Sequence, residues 1–223
     1  MKLLLWDIDG TLLASGGAGM RALENALTKL LGAPADLSDI DWAGRTDRWI
    51  TEAIFAKYEI EPTPARAAQL IDAYLASLPD HLAQSTRVLP GVRERLAEAA
   101  THGQVVQGLL TGNLERGAKI KLGHFDLWHY FPFGAFADDS AQRNDLGPHA
   151  LRRAHAHAQY QFDPDDVWII GDTPHDIACG KVIGVRTLAL ATGHHAQAEL
   201  ESHHPDAFLA DLSDQSAFWK IVL

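Results

Sequence analysis

A single cysteine, Cys179, stands among the 223 residues, so the chain cannot close an internal disulfide and must draw its stability from a packed core. A lone thiol fits a reducing compartment, and the cytoplasm is the expected location. Basic residues are scarce: 19 Lys and Arg stand against 29 Asp and Glu, giving a formal charge of −10 and a sequence pI near 5.5. An acidic chain without clustered Lys and Arg repels a phosphate backbone, so nucleic acid is not an expected partner. Long hydrophobic runs are missing as well. The longest, such as Leu3–Trp6 and Val105–Leu110, fall far short of the ~20 residues that cross a bilayer, and no basic segment followed by an apolar one opens the sequence. A membrane is therefore not an expected partner either. Twelve His offer nitrogen ligands, but His155/His157, His194/His195 and His203/His204 are one or two apart, which on a helix turns them to different faces, and no Cys pairs accompany them. A structural zinc site is not expected.

What is present reads as an α/β protein. At 47% hydrophobic and 22% charged, the composition is that of a globular chain. Short, continuous apolar runs, the mark of strands buried on both faces, occur at Lys2–Trp6, Val105–Leu110, Val167–Ile170 and Arg186–Leu190, with Phe133–Ala137 as a further candidate. Helical patterns over Leu114–Leu122, Leu146–Gln159 and Pro174–Ile183 alternate with them, which predicts βαβ units and a parallel sheet. Such sheets bind ligands beyond the carboxyl ends of their strands, where Asp7, Asp9, Thr111, Asn113 and Asp172 fall.

Roughly a hundred residues separate Asp9 from Thr111 without a convincing buried strand, about three times what one βαβ unit needs. The intervening spacing is helical: Met20, Leu23, Leu27 and Leu30, then Ile50, Ala53 and Ile54, then Ala68, Ile71, Leu75 and Leu78. Gly32-Ala33-Pro34 ends the first helix, Pro62 and Pro64 separate the next two, and Pro79 is expected to close the insert. The predicted architecture is a core formed by residues 1–14 and 84–223, with an all-helical subdomain inserted over 15–83.

The stretch Asp7-Ile8-Asp9-Gly10-Thr11 carries the most chemistry. Two carboxylates two positions apart at a strand end face one substrate, while Gly10 lets the backbone turn away. Asp7 suits a nucleophile that splits phosphoryl transfer into two steps, and Asp9 suits the acid that protonates the leaving oxygen and later deprotonates water. Thr111-Gly112-Asn113, at the next strand end, offers a hydroxyl and N–H groups to a phosphoryl oxygen. Asp172 and Asp176 bring two more acids to the same edge. Carboxylates so crowded call for a divalent cation, and oxygen-only ligands around a phosphate favour Mg²⁺.

With these three stretches in order, nearly the whole chain resembles the haloacid dehalogenase superfamily, whose members have a Rossmann-like core and often a helical cap inserted after the first strand. The resemblance implies that Asp7 is the nucleophile, Asp9 the general acid/base, Gly10, Thr11, Thr111, Gly112 and Asn113 phosphate binders, and Asp7, Asp9 (through its backbone carbonyl), Asp172 and Asp176 the Mg²⁺ site, Asp176 directly or behind the ligands. The family usually supplies a Lys from a third motif, and Asp138–Pro148 contains none. Arg143 is the one Lys or Arg there and is expected to take that place, with Arg152, Arg153 or Lys119 as alternatives. Within the superfamily, the second Asp argues against a dehalogenase or a phosphonatase. The expected activity is Mg²⁺-dependent hydrolysis of a small phosphorylated metabolite, by a monomer or homodimer. The alternatives are a phosphomutase and a non-catalytic regulatory protein with the same fold. Gly44-Arg45-Thr46-Asp47 resembles the cap segment of phosphoglycolate-phosphatase-like members, which makes Arg45 a candidate for a substrate carboxylate, beside the reading as a solvated loop Arg. Trp42 and Trp49 are expected to pack inside the insert, and His175 to sit at the rim of the site.

Overall fold

The computed structural model describes residues 1–223. Its central sheet is parallel and six-stranded, in the order β5-β4-β1-β6-β7-β8, built from β1 (Lys2–Trp6), β4 (Val105–Leu110), β5 (Gly134–Ala135), β6 (Val167–Gly171), β7 (Arg186–Leu190) and β8 (Ala207–Leu209). Each central strand is apolar throughout because it feeds two cores. Leu4 and Trp6 of β1, with Trp168 and Ile170 of β6, enter one cluster, and Leu3 and Leu5, with Val167 and Ile169, enter the cluster on the other face. Helices α4 (Val92–Thr101), α5 (Glu115–His124), α6 (Leu146–Ala158), α7 (Pro174–Ile183), α8 (Gln197–Ser202) and α9 (Gln215–Val222) flank the sheet. On α9, Phe218 is fully buried and stacks on Trp6, 5.8 Å between centroids.

Two features place the site. First, β1, β4 and β6 are adjacent, so the residues following each strand meet at one edge. Second, a short antiparallel pair, β2 (Leu13–Ala14) with β3 (Arg87–Val88), brings together the points where the chain leaves and rejoins the sheet region. Between them run α1 (Ala18–Leu31), α2 (Asp47–Lys57) and α3 (Pro64–Ser85), which bury Leu23, Leu27, Ile54, Leu70, Leu78 and others in a cluster of their own. Asp47 is the first residue of α2, and the Thr46 hydroxyl accepts from the Trp49 amide at 3.1 Å, an ordinary N-cap. No helix is long and apolar enough to cross a membrane.

Pro79 does not close the insert. It lies inside α3, which continues to Ser85 and crosses the expected junction at 83/84. A helix-interior proline removes one ladder hydrogen bond, but Pro79 is on the exposed side, and Leu70, Tyr74, Leu78 and Leu82 hold the opposite face against the insert core. Packing across 22 residues outweighs one lost bond. Elements β2, β3, β8, α8 and α9 have no counterpart among the sequence-based expectations; the three strands are three residues or fewer, too short for a pattern to show.

Candidate active site

Asp7 follows the last residue of β1 and is held in line by its amide, which donates to the Ile170 carbonyl at 3.0 Å. Its carboxylate is buried. Arg143, also buried, stands beside it with Nη2 3.1 Å from Asp7 Oδ1, and the same nitrogen pairs with Asp176 Oδ1. The other oxygen of Asp176 accepts from the Thr173 amide at 3.1 Å and the Thr173 hydroxyl at 2.8 Å, closing a capping box at the start of α7. Asp172 lies across from Asp7 and accepts from the Thr11 hydroxyl at 3.0 Å. Oxygens of Asp7, Asp172 and Asp176 lie within 4.8 Å of one another.

One guanidinium does not balance three acids. Burial raises the Asp7 pKa to about 6; Arg143 pulls it down, and Asp176 and Asp9 push it up again. Asp172 is raised well above the ordinary carboxylate range by burial, then by Asp7 and Asp176. Burial opposes charge on Arg143 too, but Asp176 and Asp7 outweigh it and hold the guanidinium ionised. The backbone is shaped around this cluster. Gly10 has φ +85°, and a Cβ there would stand 2.1 Å from Asp172 Oδ2; one on Gly193, in the loop after β7, would stand 1.7 Å from the same atom. Only hydrogen fits at either place. Buried, oxygen-only and short of positive charge, the donor set suits a hard divalent cation.

Asp9 faces a different neighbour. Its Oδ2 accepts from Lys121 Nζ at 2.6 Å and Asn113 Nδ2 at 2.9 Å, while the Asn113 carbonyl oxygen accepts from Lys121 at 2.6 Å. Burial alone would raise the Asp9 pKa, but the charge and hydrogen bond of Lys121, with Asn113, carry it below its ordinary value. Thr111 Oγ1 in turn accepts from Asn113 Nδ2 at 2.9 Å, so the β4 end and the loop after β1 form one network.

A cavity of about 300 Å³ joins these groups to the insert. Asp7, Asp9, Gly10, Gly112, Asn113, Arg143 and Asp172 line it from the sheet, and Met20, Leu23, Arg45, Ile50 and Tyr74 from the insert. Thr11 and Thr111 are fully buried, and Asp176 acts from behind through Arg143. The insert is docked at this point: the Asp47 amide donates to the Gly112 carbonyl at 2.7 Å, Asp47 Oδ2 accepts from the Leu114 amide at 2.8 Å, and Thr46 Oγ1 donates to the Ala141 carbonyl at 2.6 Å. Burial raises the Asp47 pKa to about 6, against the pull of Lys121 and the Leu114 amide. A Cβ on Gly112 would stand 2.1 Å from the Arg45 carbonyl oxygen, so that glycine permits the close approach. The Arg45 guanidinium lies 4.4 Å over the Trp49 ring and 3.9 Å from Asp41. Trp42 and Trp49 pack against the insert core, and His175 is half-buried beside Gly44.

Of the alternatives to Arg143, none reaches Asp7. Arg153 is bonded to Asp139 at 2.6 and 2.7 Å, Arg152 approaches His149 at 2.9 Å, and Lys119 is exposed. Lys121 was not among the sequence candidates. Its signal is a basic residue in the buried register of α5, where Ala118 and Leu122 share its face.

Crowded acids at the carboxyl edge of a parallel sheet, a buried guanidinium and an enclosing helical insert define a hydrolase-type site. The chain belongs to the haloacid dehalogenase-like hydrolases, whose family model matches residues 4–181. It is similar to the phosphoglycolate phosphatase of Nitrosococcus oceani, 23% identical over 214 residues that cover 95% of this chain and 93% of that one. It is also similar to phosphoglycolate phosphatase 1 of Pseudomonas aeruginosa, 27% identical over 96% of this chain and 78% of that one. Among solved structures, a hydrolase from Pseudomonas syringae superposes with a TM-score of 0.76 at 19% identity, over 100% of this chain and 99% of that one, which shows a shared fold.

Proposed function

We propose that the protein is a Mg²⁺-dependent phosphatase that hydrolyses a small phosphomonoester through an aspartyl-phosphate on Asp7. One observation carries this reading: two carboxylates face the same cavity, each beside its own buried cation, Arg143 for Asp7 and Lys121 for Asp9. Asp7, the group raised by burial, is the nucleophile. Its oxygen forms a bond to phosphorus as the ester oxygen departs, and Asp9, which enters this step in the protonated form that Lys121 makes the minor one, gives that oxygen its proton. Asp9 then takes a proton from water, the water oxygen bonds to phosphorus, and the phosphorus bond to Asp7 breaks, freeing inorganic phosphate. Arg143 is a charged partner that keeps Asp7 ionised and offsets charge on the phosphoryl oxygens. Gly112 and Asn113, which line the cavity, would receive those oxygens, with the buried Thr111 hydroxyl holding the Asn113 amide from behind.

Asp7 and Asp172, with the Asp9 carbonyl, would hold Mg²⁺; Asp176, both of whose oxygens are engaged, would support the site from behind. When bound, the ion supplies charge neutralisation to the phosphate and the clustered acids. Residues 15–83 act as a cap that closes the cavity and excludes water, supported by the docking of Thr46 and Asp47 on the sheet side. The names of the relatives and the Arg45 segment favour a short phosphorylated acid as substrate.

The test is phosphate release by the purified protein with Mg²⁺ from a panel of phosphorylated acids, sugars and nucleotides, with Asp7→Asn alongside. Release from small esters that vanishes in the variant supports the reading. An isomeric sugar phosphate with little free phosphate would mean a mutase, and turnover of no ester would leave a non-catalytic role.

A further inference from the structure

Lys121 is only partly explained by Asp9. A lysine ammonium has three donors, and two of them go to Asp9 Oδ2 and Asn113 Oδ1, both at 2.6 Å. The third remains. Lys121 lines the cavity, so its remaining N–H has a place for a ligand oxygen. Tyr74, on α3, brings a hydroxyl to the same corner: a methyl on Gly19 would stand 3.7 Å from Lys121 Nζ and 3.8 Å from the Tyr74 oxygen. Burial, and then Asp47 and Asp9, push the Tyr74 ionisation well above its ordinary value, so the phenol is a neutral donor. Met20, Leu23 and Ile50 make the neighbouring wall apolar. An ammonium and a phenol thus meet at one glycine, between this apolar wall and the acids Asp9 and Asp47.

We propose that Lys121, Tyr74 and Gly19 form the subsite for the leaving group, and that this subsite takes a carboxylate carried one or two carbons from the ester oxygen. The inference rests on the phosphatase reading and sharpens its substrate class. Asp9 must reach the ester oxygen to protonate it, and Lys121 is 2.6 Å from Asp9. With hydrogen bonds of about 2.8 Å on either side, an oxygen on Lys121 and the ester oxygen on Asp9 lie only a few ångströms apart, which suits a very short acid. A charged donor prefers an ionised oxygen to a hydroxyl, and the cavity, about 300 Å³, is small. Gly19 leaves the room. Arg45, by contrast, has its guanidinium laid over Trp49.

The experiment compares kcat/KM for 2-phosphoglycolate and for ethyl phosphate, with Mg²⁺, in the wild type and in Gly19→Ala, Tyr74→Phe, Lys121→Met and Lys121→Arg. The added methyl of Gly19→Ala makes ordinary contacts in a helix, so that variant keeps the test alive if the Lys121 variants do not fold. The wild type should favour the acid, and the acid-to-ester ratio should fall about tenfold in Gly19→Ala and Tyr74→Phe and further in Lys121→Met, with partial return in Lys121→Arg. A structural role alone would slow both substrates together and leave the ratio where it was. An unchanged ratio across Gly19→Ala and Tyr74→Phe, in an enzyme that turns over both esters, overturns the subsite and leaves the phosphatase standing. Failure of the wild type on every phosphomonoester overturns both.

Discussion

The two cations paired with Asp7 and Asp9 work under opposite loads. Arg143 is set among Asp7, Asp172 and Asp176, while Lys121 meets one carboxylate and one amide oxygen. At the first corner the protein leaves a deficit of positive charge, and Asp7 is raised to about 6. At the second it supplies enough, and Asp9 is lowered. On the proposed mechanism, the difference marks where an imported cation would act: the nucleophile would depend on charge the chain does not provide, whereas the acid/base would be held by the chain itself.

Removing the nucleophile's charge breaks the comparison most severely. Asp7→Asn keeps shape and removes both the attacking oxygen and one of the repelling charges. Phosphate release should drop to background while thermal unfolding in EDTA shifts to higher temperature, because the remaining acids are less crowded. A folded variant with near wild-type turnover would reject the mechanism.

Removing the cation instead should cost less in rate but more in stability. Arg143→Met retains a long stem without charge, and kcat/KM should fall roughly a hundredfold, about 3 kcal/mol of transition-state stabilisation. Asp7 and Asp176 would then be buried without a partner, so the unfolding midpoint should also fall. Arg143→Lys, which restores charge but loses the fork that reaches both acids, should lie between. Steady-state kinetics with one good substrate and a melt of each variant decide the matter; a Met variant within a few-fold of wild type would make Arg143 a structural residue alone.

The deficit also sets a pH dependence. A carboxyl whose folded pKa is raised lends stability below its unfolded pKa, near 3.8 for Asp7, and that contribution is lost as pH rises through the folded value, about 6. Asp172 is shifted in the same direction. Mg²⁺ should replace the missing protons, so its gain in melting temperature over EDTA should be largest at pH 7 and above and should shrink as pH falls through about 6 to 5. A gain that is constant from pH 5 to 8 would mean that the ion binds elsewhere.

How much of this was legible in the residues differs between the two corners. The strand ends were readable because apolar runs stop abruptly at Asp7, Thr111 and Gly171-Asp172, and a buried parallel strand has few other ways to be written. Their meeting at one edge followed from the parallel order. Arg143 could be picked out because it is the one Lys or Arg in its stretch, although its shared bond to Asp176 could not, since that needs the capping box of Thr173 to aim the acid. Lys121 was hidden for the reason that makes it useful: it occupies an apolar register of α5, and only the fold shows Asp9 and Asn113 waiting there. Pro79 misled because a stop signal in sequence is a weak force against a long helix packed along one face.

Arg45 gives the finest test of the comparison, because it also lines the cavity and is less committed than Arg143 or Lys121. About a third of its side chain is exposed; it stacks 4.4 Å over Trp49 and stands 3.9 Å from Asp41, so it already has partners that a substrate would have to share or displace. An exposed cation–π contact is worth only about 0.5–1 kcal/mol, and a weak ion pair adds little, so Arg45→Ala should barely move the melting temperature. If the guanidinium does reach a substrate carboxylate, KM for phosphoglycolate should rise about three- to fivefold in that variant, against no more than a slight change for ethyl phosphate. That is a smaller selective effect than any at Lys121, where the ammonium is buried and its two existing bonds fix its direction. An equal change in KM for both esters would remove Arg45 from substrate recognition and leave the carboxylate to the Lys121 corner alone.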